Sequence, residues 1–240
     1  MENAMYIATY LAAAFAVGIS SISAGMGEGY TAGYAIRGIM RQPKVSDSML
    51  RNMLVSQAVT ESAAIFGLVI ALLLLFGGSI DINGGWQLVA ALFGSGLSIG
   101  IGSLGPCLGS GYIGGMACQS LARQPRKSGS LTANMLIGQA LAQTSAIFAL
   151  LIALLLILSA PRGGDIGKTF ALLAAGLCIG FGTLGPAIGV GYVGGKAVDS
   201  IGRFPDQTSL LVRNMFIGSA VSQSTAIYSM VVAFLLMFVV

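Results

Sequence analysis

Val59-Thr60-Glu61-Ser62-Ala63-Ala64-Ile65-Phe66, Leu141-Ala142-Gln143-Thr144-Ser145-Ala146-Ile147-Phe148 and Val221-Ser222-Gln223-Ser224-Thr225-Ala226-Ile227-Tyr228 are three versions of one octapeptide. Each follows its own polar landmark at a constant offset: Arg41-Gln42-Pro43, Arg123-Gln124-Pro125 and Arg203-Phe204-Pro205. Asn52-Met53, Asn134-Met135 and Asn214-Met215 fall between landmark and octapeptide. Before each landmark comes a glycine-rich segment: GMGEGYTAG ending at Gly33, CLGSGYIGG at Gly115 and AIGVGYVGG at Gly195. The landmarks recur at a nearly constant interval, from Arg41 to Arg123 to Arg203. Apolar helices resemble one another by chance, but chance does not keep charged and polar landmarks in register. The chain is one unit written three times, and fixed-period self-similarity decides an architecture before any motif does.

Each unit reads as a helix, a short polar loop with proline, and a returning helix. The apolar runs predict six helices near 5–38, 47–76, 86–120, 130–158, 168–200 and 209–240. The fold class is therefore an all-α membrane protein, with six transmembrane helices as three fused antiparallel hairpins over 1–80, 81–160 and 161–240. Of the 240 residues, 55% are hydrophobic and 8% charged, with a mean hydropathy of +0.87. Soluble domains carry about 25% charged residues, and long uncharged runs such as Ile65–Phe76 and Ala146–Leu158 are what a bilayer requires. The stretch after Met1-Glu2-Asn3-Ala4-Met5 has no basic segment before it and reads as the first membrane helix, not a signal peptide.

The net charge of +4 reports topology, not an affinity for nucleic acid. Ten of the twelve basic residues sit in or beside the three landmark loops, among them Lys44, Arg51, Arg126, Lys127 and Lys196. Positive charge marks the cytoplasmic side, so those loops are expected in the cytoplasm. Both termini and the loops near Asp81 and Asp165 are expected on the opposite side. Cys107, Cys118 and Cys178 lie within helices at no metal-ligand spacing and read as packing residues.

The two helices of a unit differ in kind. The first carries Gly25, Gly27, Gly29 and Gly33, and their counterparts, and small residues let membrane helices approach closely. It suits a crowded inner layer, with Pro106 and Pro186 as possible kinks. The second carries ALLLLF, ALLLIL or AFLLMF and suits an outer layer against lipid. Residues 109–114 and 189–194 match the G-x-G-x-x-G dinucleotide pattern, but that pattern needs a preceding strand. Inside a membrane helix it is packing.

Only two acidic residues, Glu28 and Glu61, fall inside membrane helices. An intramembrane carboxylate is expensive and by default marks an ion path. Glu28 precedes Lys44 by almost the same stretch of chain by which Glu61 follows it, so in an antiparallel hairpin they reach the same depth. Two carboxylates that close do not both stay ionised without a cation between them. With Na⁺ bound, one is expected ionised and one protonated, exchanging protons as a coupled pair.

The Gly-x-Gly-Glu-Gly-Tyr segment, the Arg-Gln-Pro loop and Gln57-Ala58-Val59-Thr60-Glu61-Ser62 together resemble the c-subunit, or proteolipid, of rotary ATP synthases and ATPases, three times over nearly the whole chain. The resemblance implies a two-layered rotor ring of helical hairpins that carries ions and has no catalytic residue or organic cofactor of its own. It implies a site made of an inner-helix Gln or Glu and the outer-helix Glu of one hairpin. A neighbouring outer helix adds a backbone carbonyl, a hydroxyl, a Thr and a bracing Tyr.

On this chain the first set maps to Glu28 and Glu61, with Gln57, Val59 and Ser62 in support. The other copies have lost the pair: Gln143 and Gln223 replace Glu61, and Ser110 and Val190 replace Glu28. The neighbour-side residues run the other way. The first copy offers Ser62, Ala63 and Phe66, the second Thr144, Ser145 and Phe148, and the third the full set Ser224, Thr225 and Tyr228. The site is therefore expected between chains, from Glu28 and Glu61 of one and the Val221 carbonyl, Ser224, Thr225 and Tyr228 of the chain before it. The alternative neighbour is the second hairpin of the same chain, with the Leu141 carbonyl and Thr144.

Oxygen ligands suit a hard cation, so Na⁺ is the expected cargo, with H⁺ as the alternative. The resemblance further implies a homo-oligomeric ring, with room for one-hairpin c-subunits, and surrounding membrane lipid. Its other partners would be a stator a-type subunit with an essential Arg, and central-stalk subunits touching the landmark loops. The setting would be a bacterial or archaeal cytoplasmic membrane. One site per three hairpins favours ATP-driven pumping. The rivals are an H⁺-translocating ring of an F-type ATP synthase, a six-helix secondary ion transporter, which would show broken helices around a polar cavity, and a purely structural ring.

Overall fold

The computed structural model describes residues 2–77, 85–159 and 166–239. The expected hairpin boundaries at 80/81 and 160/161, and the loops around Asp81 and Asp165, lie outside the described residues. Seven helical segments follow one another: α1 (Glu2–Arg41), α2 (Ser46–Phe76), α3 (Gly85–Gly102), α4 (Leu104–Arg123), α5 (Ser128–Leu158), α6 (Ile166–Arg203) and α7 (Thr208–Phe238). Pro43–Val45, Pro125–Lys127 and Pro205–Gln207 form single 3-10 turns between the paired helices. Proline opens each turn because it pre-sets φ and has no amide hydrogen to leave unpaired. Six helical spans among the described residues are long and apolar enough to cross a membrane, α3 and α4 together making one of them.

Two features differ from the sequence expectation. The first helix of each pair runs on to the landmark arginine itself, because the helix ends only where Gln42, Gln124 or Phe204 leaves helical backbone. The third span is interrupted at Ser103. Pro106 cannot donate to the Gly102 carbonyl, yet Ser103 keeps helical dihedrals (φ −81°, ψ −19°). Ser103 N still bonds Ile99 O at 3.0 Å, and Cys107 N bonds Ser103 O at 3.1 Å. The helix is jogged, not ended. Pro186, in the same register, sits within an unbroken α6.

α1, the α3–α4 span and α6 pack side by side as one layer, with α2, α5 and α7 as a second. Glycine sets the spacing of the first layer. A β-carbon at Gly111 would collide with the Gly27 backbone, and one at Gly191 with the Gly109 backbone. These two contacts are the same contact one repeat apart. Both G-x-G-x-x-G stretches thus lie in helices as packing surface. Beside them Tyr30, Tyr112 and Tyr192 form a ladder, with ring centroids 5.8 and 6.0 Å apart. At the loop end Asp199 on α6 takes the guanidinium of Arg123 from the second hairpin and, at 3.0 Å, that of Arg203 from its own. Asp199 is therefore a clamp between hairpins.

The repeat leaves one edge of the first layer bare. Gly100 and Gly115 meet Phe15 and Tyr30, and Gly180 and Gly195 meet the register counterparts Ile101, Leu97 and Tyr112. The first-copy counterparts Gly18 and Gly33, and Gly29 of the Gly111 register, have nothing within 4 Å of an added β-carbon. At the other edge Tyr192 is 59% exposed. The two edges are complementary by construction, so Gly29→Leu is expected to leave the single chain folded and abolish the ring. Gly129→Ala, in open space on α5, is expected to keep it. Native mass spectrometry of detergent-solubilised protein distinguishes the two outcomes.

Candidate ion-binding site

Glu28 on α1 is half-buried, and Glu61 on α2 is exposed at the bare edge of the first hairpin. Gln57 Nε2 donates to the Glu28 carbonyl at 3.3 Å, tying the two helices together at this level. Ser62 Oγ donates back to the Val59 carbonyl at 2.7 Å. Thr144 and Ser224 make the same bond to Leu141 and Val221, at 2.7 and 2.8 Å. In every copy, then, a hydroxyl and a carbonyl one helical turn apart stand as a paired set of oxygens.

The internal junctions show how one hairpin meets the next. Gln143, at the Glu61 register of the second hairpin, donates from Nε2 to the Val59 carbonyl of the first at 3.0 Å. It also donates to Ser110 Oγ, at the Glu28 register of its own hairpin, at 3.1 Å. Gln223 in the third hairpin donates to Thr144 Oγ1 and Ser145 Oγ of the second, at 2.6 and 2.9 Å. Both junctions follow one rule. The residue at the Glu61 register turns toward the carbonyl and hydroxyl face of the hairpin before it in the chain.

Thr144 is thus engaged by Gln223. The corresponding face of α7 is uncovered: Val221 is 70% exposed and Tyr228 65%, and Thr225 is also exposed. Glu61 and its expected ligands Val221, Ser224, Thr225 and Tyr228 therefore lie on opposite edges of the chain, and within one chain they do not meet. The landmark residues Arg41, Gln42, Pro43, Arg123, Gln124, Pro125, Arg203 and Pro205 gather at the loop end, Arg41, Pro43 and Arg203 exposed and the rest half-buried.

The profile of the ATP synthase C-subunit family matches this chain three times, over residues 11–74, 93–156 and 173–236. The chain belongs to that family. The starts of the matches repeat the spacing of the landmarks. The chain is 42% identical over 81 residues to the ATP synthase c-subunit of Thermotoga petrophila, covering 32% of this chain and 95% of that protein. It is 45% identical over 76 residues to the ATP synthase c-subunit of Synechococcus elongatus, covering 32% of this chain and 94% of that protein. It is 26% identical over 228 residues to the A-type ATP synthase subunit K of Methanocaldococcus jannaschii, covering 95% and 94% of the two chains. As a c-subunit, the protein is a non-catalytic, ion-translocating component of the rotor ring of a rotary ATPase, embedded in the membrane.

Sequence reasoning passed over Gln139 and Ser56. Gln139 Nε2 donates to Ser56 Oγ at 2.8 Å and to the Ser110 carbonyl at 3.0 Å, stitching the second hairpin to the first in a fully buried position. Its signal was available, since Gln139 repeats Gln57 in register. Asn52 accepts from Thr132 across the same junction at 2.8 Å. The equivalent pair between chains is Asn214 with Leu50 of the next copy, both exposed here. With the native cysteines replaced, Leu50→Cys combined with Asn214→Cys is expected to oxidise into a ladder of chain multimers on a non-reducing gel. A product running only as monomer would contradict this pairing.

Proposed function

We propose that the ring carries Na⁺ at a site completed only between chains. Glu28 and Glu61 of one chain supply the carboxylates. The Val221 carbonyl and the Ser224 and Thr225 hydroxyls of the preceding chain supply neutral oxygens, and Tyr228 braces Glu61. The observation that supports this most directly is the rule at both internal junctions, where Gln143 and Gln223 turn to the preceding hairpin. Carried one step further, the rule turns Glu61 to the third hairpin of the chain before, which holds the full hydroxyl set.

The mechanism follows from charge. With the ion bound and one carboxyl protonated, the site is neutral and faces lipid at little cost. Emptied, a carboxylate cannot do so without heavy desolvation. Meeting a fixed arginine of a stator subunit in a water-filled half-channel would release the ion and let the ring advance by one chain. The landmark loops, on the cytoplasmic side with the termini opposite, would carry the central stalk. One site per three hairpins lowers the ions moved per turn. Each charge crossing 100 mV is worth ~2.3 kcal/mol, so fewer ions per ATP allow pumping against a steeper gradient and disfavour synthesis. The reading is therefore an ATP-driven Na⁺ pump.

Carbodiimide labelling of the assembled ring tests the ion. Added Na⁺ is expected to protect Glu61 at neutral and mildly alkaline pH, and Tyr228→Phe to require several-fold more Na⁺ for the same protection. Glu61→Gln is expected to abolish transport in the complete complex while the ring still forms. Labelling indifferent to Na⁺ throughout that pH range would point to H⁺ instead.

A further inference from the structure

The second internal junction repeats the oxygen lining of the proposed site, and at both internal junctions a glutamine amide stands where an ion would. Gln223 Nε2 lies 2.6 Å from Thr144 Oγ1 and 2.9 Å from Ser145 Oγ, the register counterparts of Ser224 and Thr225. Thr144 Oγ1 in turn bonds the Leu141 carbonyl, counterpart of Val221. Ser145 Oγ also lies 3.2 Å from Gln223 Oε1, so both ends of the amide are engaged. At the other junction Gln143 Nε2 donates both hydrogens, to the Val59 carbonyl and to Ser110 Oγ, and its Oε1 is buried without a partner.

An amide nitrogen presents two partly positive hydrogens and no net charge. Set among oxygen lone pairs, it satisfies them as a cation does. The assembly of amide and oxygens is neutral, as an ion-loaded carboxylate site is, and it has nothing to release. We propose that Gln143 and Gln223 are built-in stand-ins for the transported cation, holding the second and third hairpins permanently in the loaded state. We infer further that the junction of hairpins two and three is a dormant Na⁺ site lacking only its carboxylate. This rests on the reading of the Glu61 site given above.

The two dormant positions are not equivalent. A carboxylate at 223 would face two hydroxyls, Thr144 and Ser145, and the Leu141 carbonyl, with apolar Val190 at the inner-helix position. One carboxylate and one Na⁺ leave that pocket neutral. A carboxylate at 143 would face the Val59 carbonyl and the Ser62 hydroxyl of the first hairpin and Ser110 Oγ of its own, with Ala63 in the place of Ser145. Restoring the acid should therefore restore the ion at the second junction.

The test is carbodiimide labelling of assembled rings with the modified positions read by mass spectrometry, with and without NaCl. Gln223→Glu is expected to give two labelled positions per chain, both protected by Na⁺. Adding Thr144→Val to Gln223→Glu should raise the Na⁺ needed at 223 at least tenfold and leave Glu61 unchanged. Should the Gln223→Glu ring form only in Na⁺, and not in K⁺, that dependence reports the same site.

Protection at Glu61 without protection at 223, or a Gln223→Glu ring that forms in no Na⁺ concentration, overturns the inference and leaves the Glu61 reading standing. Protection at neither position overturns both.

Discussion

A carboxylate held at the depth of the hydrocarbon must be neutralised before it can face lipid, and the architecture of this chain is arranged around that requirement. Glu61 sits at an edge where its own chain offers no opposing hydroxyl. The oxygens that would complete its neutralisation are on the other edge, one full chain away. In the proposed reading the ring is the ion site as much as it is a support for it, because the pocket would come into being when one chain docks on the next. The glycine contacts follow the same logic. Gly27 against Gly111 and Gly109 against Gly191 set the separation of neighbouring inner helices, and any wider spacing would pull carbonyl and hydroxyl away from the residue at the Glu61 register.

The internal junctions stand as two finished examples of the contact that chain assembly has to make. In each, a polar side chain near mid-membrane reaches backward to the preceding hairpin and finds a carbonyl or a hydroxyl. Only the chemistry of the reaching group changes: an amide at 143 and 223, a carboxylate at 61. Triplication thus separates two jobs that a single-hairpin protein must combine. Two junctions are fixed by covalent linkage and amide bonds, and in the proposed reading the third, between chains, exchanges ions.

Much of this was legible in the sequence because register survives translation into structure. The regular recurrence of the Arg41, Arg123 and Arg203 landmarks, the uncharged runs and the glycine-studded first helices already specify three hairpins in two layers. The isolated positions of Glu28 and Glu61 among apolar residues mark the depth of the proposed site. The jog at Ser103 was not legible, because Pro106 and Pro186 share a register and only one interrupts its helix. The direction in which Gln143 and Gln223 reach was equally hidden, since octapeptide similarity says which residues correspond and not which neighbour they face. The pairing of Asp199 with Arg123 of the adjacent hairpin was not legible either, because the two residues lie nearly a full repeat apart in the chain. Gln139 escaped notice as a repeat of Gln57, although its hydrogen bond to Ser56 joins hairpin two to hairpin one and its bond to the Ser110 carbonyl ties the two helices of its own.

The most direct measurement is a structure of the assembled ring in Na⁺, at a resolution that shows bound ions. The account predicts one ion density per chain, between Glu61 and the Val221 carbonyl of the preceding chain, with Ser224 and Thr225 beside it and amide nitrogens in its place at the other two junctions. Ion density at all three junctions, or Glu61 turned instead toward Thr144 of its own chain, would contradict it.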